Sequence, residues 1–171
     1  MKFKSESEMV NVFQDFIKSK ISSAVQFDIY NEVKTPFGIP DLVLFEKRED
    51  TLTHIFAFEL KLNKWRKALS QAFKYKSFSN VAFVILDSYC IKPAFNHLSL
   101  FISANICLAS IDNQGNFMIY NAPTIDKPFS LNIKNEFLNF FNYQLYEDVE
   151  SINSVFYDYV SNYSLPSTCK E

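Results

Sequence analysis

The chain has 171 residues, of which 48% are hydrophobic and 17% aromatic; this is ample for one packed domain and too apolar for a disordered chain. The chain has 17 Lys and Arg and 19 Asp and Glu, so its net charge is −2. Domains that bind nucleic acid are often strongly basic, and this chain is not. No apolar stretch approaches about 18 residues, and no transmembrane helix is expected.

The first 61 residues predict one helix followed by three strands. Apolar side chains recur at helical spacing over 7–22, and residues 25–33 alternate as in a half-buried strand. The segments IPDLVLFEK (39–47) and THIFAFELK (53–61) are short apolar runs of the kind that form buried strands. A charged turn joins them, so the three strands should form a meander.

The rest of the chain predicts a crossover, a hairpin and closing helices. Residues 63–78 have helical periodicity, and the uninterrupted apolar run at 81–86 is typical of a strand buried on both faces. A strand, helix and strand in succession imply a parallel crossover. A second helical stretch follows Pro93, and a hairpin is expected around 113–115. The aromatic-rich segment 132–163 is expected to form one or two helices packed on the sheet.

Two features of the chain suggest a reducing, cytoplasmic location. The N-terminal sequence MKFKSESEMVNVF lacks the apolar core of a signal peptide. The three cysteines, Cys90, Cys107 and Cys169, are odd in number and lack the spacing of a zinc site, so free thiols are expected. No membrane partner and no organic cofactor are indicated.

Charged residues stand at the ends of two of the predicted strands. Pro40-Asp41 begins the second strand, and Glu59-Leu60-Lys61 ends the third. Buried charges are costly unless they bind a metal or one another. Because side chains alternate along a strand, Glu59 and Lys61 project from the same face. The group is therefore a candidate site for a hard divalent cation, with a structural salt bridge as the alternative.

Pro-Asp on the second strand and Glu-x-Lys on the third, in the order α, β, β, β, α, β, resemble the PD-(D/E)XK nuclease superfamily. The resemblance covers about residues 6–86. It implies a restriction-endonuclease-like α/β core with a mixed central sheet flanked by helices, to which a C-terminal hairpin and helices are added. On this basis residues 1–125 form the nuclease-like core, and 126–171 form a helical extension of the same domain.

The resemblance also implies a role for each residue of the motif. Asp41 and Glu59, with the backbone carbonyl of Leu60, would bind Mg²⁺ or Mn²⁺. Lys61 would orient or deprotonate the attacking water, and near a bound metal its pKa should be depressed. Gln71 matches a helix glutamine that steadies the lysine or the water.

A glutamate on the first helix completes the implied catalytic group. Glu6 matches it, and Glu8 is the competing assignment. Glu32 on the first strand is either a further acid near the metal or a paired residue at the strand edge.

The segment after the motif is basic and lacks acids. Lys64, Arg66, Lys67, Lys74 and Lys76 are expected to contact phosphates, although a solvated helix face would have the same composition. Trp65 beside them is expected to pack in the core rather than stack on a base.

The implied function is hydrolysis of phosphodiester bonds in DNA by a Mg²⁺-dependent deoxyribonuclease. A catalytically silent nuclease-fold module that binds DNA or protein is the alternative, and a plain interaction module with a salt-bridge cluster is a third. Double-strand cutting by a one-site domain generally needs a symmetric pair, so a homodimer is expected.

Overall fold

A single mixed sheet of six strands, with helices on both faces, forms the centre of the protein. The structure is a computed structural model that describes residues 2–20, 26–49, 51–143 and 154–164. The strands are β1 (Gln26–Asn31), β2 (Leu42–Arg48), β3 (Thr51–Lys61), β4 (Val81–Asp87), β5 (Cys107–Ile111) and β6 (Phe117–Ile119). They lie side by side in chain order. Pairing is parallel for β3 with β4 and for β4 with β5, and antiparallel elsewhere. The predicted α/β class and mixed sheet are confirmed.

The helices and strands follow one another along the chain in the predicted order, and the helices cover both faces of the sheet. They are α1 (Glu6–Lys20), α2 (Trp65–Tyr75), α3 (Lys92–Phe95), α4 (Leu98–Ser103), α5 (Leu131–Phe140) and α6 (Val155–Ser161). The helical stretch expected after Pro93 is divided into α3 and α4, and the expected hairpin is formed by β5 and β6. Within the expected helical segment 132–163, residues 144–153 lie outside the described residues. No helix among the described residues has the length and apolar character needed to cross a bilayer.

Alternation along β3 divides the core into two layers. Phe56, Phe58 and Leu60 pack on one face of the sheet with side chains of α1 and α6. Ile55 and Ala57 pack on the other face with side chains of α2, α4 and α5. Because this alternation continues along β3, the charged side chains of Glu59 and Lys61 project from the face that α2 covers.

The C-terminal helices pack on opposite faces of this sheet. Phe137 and Leu138 of α5 belong to the layer that contains α2, whereas Phe156 and Val160 of α6 belong to the layer that contains α1. Both helices therefore bury apolar surface against the same sheet as the first half of the chain.

Candidate metal centre at the ends of β2 and β3

The backbone register brings Asp41 opposite Glu59. Leu42 pairs with Phe58 in the antiparallel ladder, and the Asp41 N–H donates to the Phe58 carbonyl at 3.1 Å. Opposite residues of an antiparallel pair project to the same side of the sheet. The Leu60 N–H donates to Asp41 Oδ2 at 2.7 Å, which fixes the direction of that carboxylate.

The Lys61 ammonium lies between three carboxylates. Its Nζ is 2.8 Å from Glu59 Oε1, 3.5 Å from Asp41 Oδ2 and 3.3 Å from Glu6 Oε2. Nζ also donates to the Leu60 carbonyl at 3.0 Å. The structure thus brings together Asp41, Glu59 and Lys61, and it adds Glu6 from the first turn of α1.

Of the two glutamates considered on the first helix, Glu6 is the one beside Lys61. The Glu8 carboxylate instead accepts from the Lys4 N–H at 2.7 Å, next to the start of α1. Glu32 is exposed and directly follows β1, with a backbone φ of +48°, and its N–H donates to the Asp41 carbonyl at 3.2 Å. Asp41 is therefore held from both neighbouring segments.

A tyrosine that was not identified from the sequence holds the second oxygen of Glu59. The Tyr75 hydroxyl donates to Glu59 Oε2 at 2.7 Å, and both residues are buried. Tyr75 shares the buried face of α2 with Ala68 and Ala72, so its spacing alone indicates a core residue. A methyl group at Gly38 would come within 3.4 Å of the Tyr75 ring, which shows that the turn before β2 packs closely over it.

Gln71 lies one helical turn before Tyr75 and adjoins the same group. A hydrogen bond from Gln71 favours the ionised form of the Tyr75 hydroxyl, although burial and the Glu59 charge outweigh it and raise the pKa of Tyr75. The Gln71 side-chain oxygen is buried without a hydrogen-bond partner. Leaving a buried acceptor unpaired costs about 1–3 kcal/mol, so this oxygen is suited to a water molecule or a ligand.

Burial and mutual charge shift the pKa values of the group. Burial raises the pKa of both Asp41 and Glu59, although nearby hydrogen bonds and Lys61 partly offset it. Burial also opposes the charge on Lys61, but Glu59, Asp41 and Glu6 outweigh it and raise the pKa of Lys61. The depressed pKa expected for Lys61 beside a bound metal stays a prediction, because the raised pKa reflects the carboxylates alone.

The donor set fits a hard divalent cation in its chemistry. Two carboxylates and a backbone carbonyl supply oxygen ligands of the kind that Mg²⁺ prefers, and all three lie within 3.5 Å of one nitrogen atom. No group of three or more His, Cys, Asp and Glu side chains is arranged to hold a metal ion in the described part of the chain. The carboxylates instead surround the Lys61 ammonium.

A cavity of about 290 Å³ opens beside Asp41. Its polar lining comes from the start of α1, the end of β1 and the start of β2: Glu6, Ser7, Asn11, Asn31, Glu32 and Asp41. The cavity gives solvent and small molecules a route to the Asp41 carboxylate.

Four of the five basic residues expected to contact phosphate lie on the surface, and one does not. Lys64, Arg66, Lys67 and Lys74 are exposed on α2 or directly before it. Lys76 is only 2% exposed, and its Nζ donates to the Ala104 carbonyl at 3.2 Å and to Asp126 at 3.4 Å. In this structure Lys76 joins the fold to the segment before α5 and does not share the surface of the others.

No family model, curated protein or solved structure matches the chain. The resemblance to PD-(D/E)XK nucleases therefore depends on the motif and on the order of the elements.

Proposed function

We propose that the protein is a metal-dependent nuclease of the PD-(D/E)XK type that hydrolyses phosphodiester bonds in DNA. The observation that supports this most directly is the meeting of Asp41, Glu59 and Lys61 at the ends of two adjacent strands. Hydrolysis of a phosphodiester requires oxygen ligands for a metal ion and positive charge near the phosphate. The Glu59 carboxylate would supply such a ligand, and Lys61 would supply such a charge.

In this proposal Asp41, Glu59 and the Leu60 carbonyl hold Mg²⁺ or Mn²⁺. The ion would neutralise charge that develops on the phosphate and lower the pKa of a water molecule. The protein supplies the orientation, because the Leu60 N–H holds the Asp41 carboxylate and the Tyr75 hydroxyl holds that of Glu59. Such fixed donors and ligands avoid reorganisation during the reaction.

Lys61 would contact the carboxylates before a metal binds and a water molecule or phosphate afterwards. Without a metal its ammonium neutralises the carboxylates, as the raised pKa of Lys61 reflects. A bound divalent cation would supply that positive charge instead, and the Lys61 ammonium would then be able to orient a water molecule or to donate to a phosphate oxygen. Glu6, 3.3 Å from Nζ, would hold the lysine close to the site in both arrangements.

The exposed basic residues before and along α2 would contact the DNA backbone. Lys64, Arg66, Lys67 and Lys74 can each neutralise a phosphate, a contribution that fixes position without reading sequence. Cutting both strands would need a second copy of the site, so a homodimer is part of the proposal.

A catalytically silent DNA- or protein-binding module is the second candidate, and one observation favours it. Both Glu59 oxygens are already engaged, one by Lys61 and the other by Tyr75, so the ionic group is complete without a metal. Such a cluster could serve only to hold α1, α2 and β3 together.

Cleavage by two variants tests the proposal. Asp41→Asn and Lys61→Ala should each abolish Mg²⁺-dependent cutting of plasmid and linear DNA while circular dichroism shows the parent fold. Asp15→Asn is the matched control, because Asp15 is an exposed acid on α1 outside the site. Cutting by both site variants at the parent rate would refute the nuclease. Absence of Mg²⁺ and Mn²⁺ binding to the parent in calorimetry would favour the silent module.

A further inference from the structure

An apolar groove with a basic rim runs along α2, on a side of the helix where α4 forms the opposite wall. Its volume is about 400 Å³. The main lining residues are Trp65, Arg66, Leu69, Phe73, Lys74 and Leu100. From Trp65 to Lys74 the groove follows nine helical steps, about 14 Å at 1.5 Å per residue. That is the length of roughly four stacked nucleotides at 3.4 Å each.

Two aromatic rings beside the groove are exposed to solvent. Phe73 is 50% exposed and Phe129, which precedes α5, is 59% exposed. Their ring centroids are 5.8 Å apart with the planes tilted by 59°, so the two rings form one exposed apolar patch, and the Lys76 ammonium lies 4.9 Å from the Phe129 centroid. Burying apolar area is favourable by about 25 cal/mol per Å², so a ligand that covers this pair of phenylalanines would gain free energy from doing so.

The charged side chains that line the groove itself are all basic. No acidic residue occurs between Lys61 and Asp87 in the sequence, whereas Arg66 and Lys74 both line the groove. The Arg66 guanidinium lies 4.3 Å above the Trp65 ring, which holds it at one end of the groove. A charged group held in place by stacking loses less conformational freedom when it binds an anion.

We infer that the groove binds an unpaired stretch of nucleic acid, with bases against Phe73 and Phe129 and phosphates against Arg66 and Lys74. Aromatic faces beside cations are what a single strand requires, because every base has a stackable face and every linkage a negative charge. The inference deepens the proposed function, since Trp65 at one end of the groove is only four residues beyond Lys61. It assigns the nuclease a substrate with a single-stranded segment next to the cut.

Two other occupants fit the observations less well. A second copy of the chain would bring its own Arg66 and Lys74 to the same surface if the contact were symmetric, which sets like charges together. An acidic amphipathic peptide matches the charge and the apolar floor. It has no particular need for the paired exposed rings, which an unpaired base uses directly.

Binding without cleavage tests the inference separately from the nuclease. Fluorescence anisotropy would follow a labelled 12-nucleotide single strand and a labelled hairpin duplex in EDTA at about 50 mM salt. Phe73→Ala should weaken binding of the single strand about 5- to 100-fold and leave the hairpin within about twofold. Phe140→Ala is the matched control, because Phe140 is 73% exposed on α5 and does not line the groove.

Three outcomes would overturn the inference. Phe73→Ala could bind the single strand as tightly as the parent does, or Phe140→Ala could lose as much single-strand affinity as Phe73→Ala. The third is binding of a labelled glutamate-rich 15-residue peptide that depends on Phe73, when binding of the single strand does not. Arg66→Gln gives a second readout, because removing a phosphate contact should lower the slope of log affinity against log salt by about one. If the parent fails to cut DNA but Phe73-dependent binding persists, the inference stands and the nuclease does not.

Discussion

Replacing Lys61 by Met should tighten Mg²⁺ binding while abolishing cleavage. The Lys61 ammonium lies 2.8 Å from the buried Glu59 carboxylate, in the space between the carboxylates that would hold the ion. A hydrogen bond to a charged group contributes about 1.5–3 kcal/mol, and a divalent cation has to replace it. Since 1.4 kcal/mol is a factor of ten, removing the competitor should lower the Mg²⁺ dissociation constant about 10- to 100-fold.

The same substitution should destabilise the metal-free protein. It leaves Glu59, which is 1% exposed, without its positive partner, and a buried charge that loses its partner costs about 3–5 kcal/mol. Mg²⁺ should then raise the melting temperature of Lys61→Met more than that of the parent, because a ligand that binds only the folded state stabilises it.

Isothermal titration calorimetry and thermal melts with and without Mg²⁺ measure both effects. Lys64→Met is the matched control. Lys64 is exposed, and in the described part of the chain it forms no ion pair with Asp41, Glu59 or Glu6, so salt screening should keep its effect on the dissociation constant below about threefold. Weaker Mg²⁺ binding by Lys61→Met than by the parent would show that the ammonium does not compete for the ion, and would refute this reasoning.

Three further outcomes follow from the described contacts. Tyr75→Phe leaves Glu59 Oε2 without its donor and should weaken Mg²⁺ binding about tenfold in calorimetry; unchanged affinity would contradict the positioning role. Burial raises the pKa of Asp41 above 3.8 and that of Glu59 above 4.5, so protons compete with Mg²⁺ for these oxygens at higher pH than usual. As the pH is lowered, calorimetric titrations should show the Mg²⁺ affinity falling while the pH is still above those two values; a loss of affinity only below them would contradict this. Burial opposes ionisation of Asp28, but Lys47 and the Tyr143 hydroxyl outweigh it and lower the pKa of Asp28. The ionised carboxylate therefore stabilises the fold above pH 3.8, and this contribution is lost as the pH falls through the lowered pKa. Asp28→Asn should therefore cost about 1 kcal/mol in urea unfolding at pH 7 and nothing well below pH 3; an equal cost at both would contradict it.

The grouping of Asp41, Glu59 and Lys61 could be predicted because it depends on local rules. Alternation along a strand determines that Glu59 and Lys61 share a face, and one antiparallel register brings Asp41 to the same side. Short apolar runs bounded by turns were enough to predict the strands that carry these residues.

The remaining features depend on contacts between distant segments. Lys76 is buried because Asp126 and the Ala104 carbonyl meet it, and nothing in the local basic run indicates that pairing. Tyr75 has the spacing of a core residue, so its hydroxyl could be assigned to Glu59 only once α2 was placed against β3. The raised pKa of Lys61 likewise depends on a distant segment, because Glu6 of α1 adds its charge to those of Asp41 and Glu59; the depressed pKa expected beside a bound metal stays a prediction.

The most direct test of the proposed metal centre is a crystal soaked in Mn²⁺ and examined for anomalous density. We expect one peak between Asp41 and Glu59, about 2.1 Å from one carboxylate oxygen of each residue, as for Mg²⁺. The Lys61 ammonium should be displaced from its present position. Density that shows Lys61 still between the two carboxylates, at Mn²⁺ concentrations that saturate binding in solution, would contradict it.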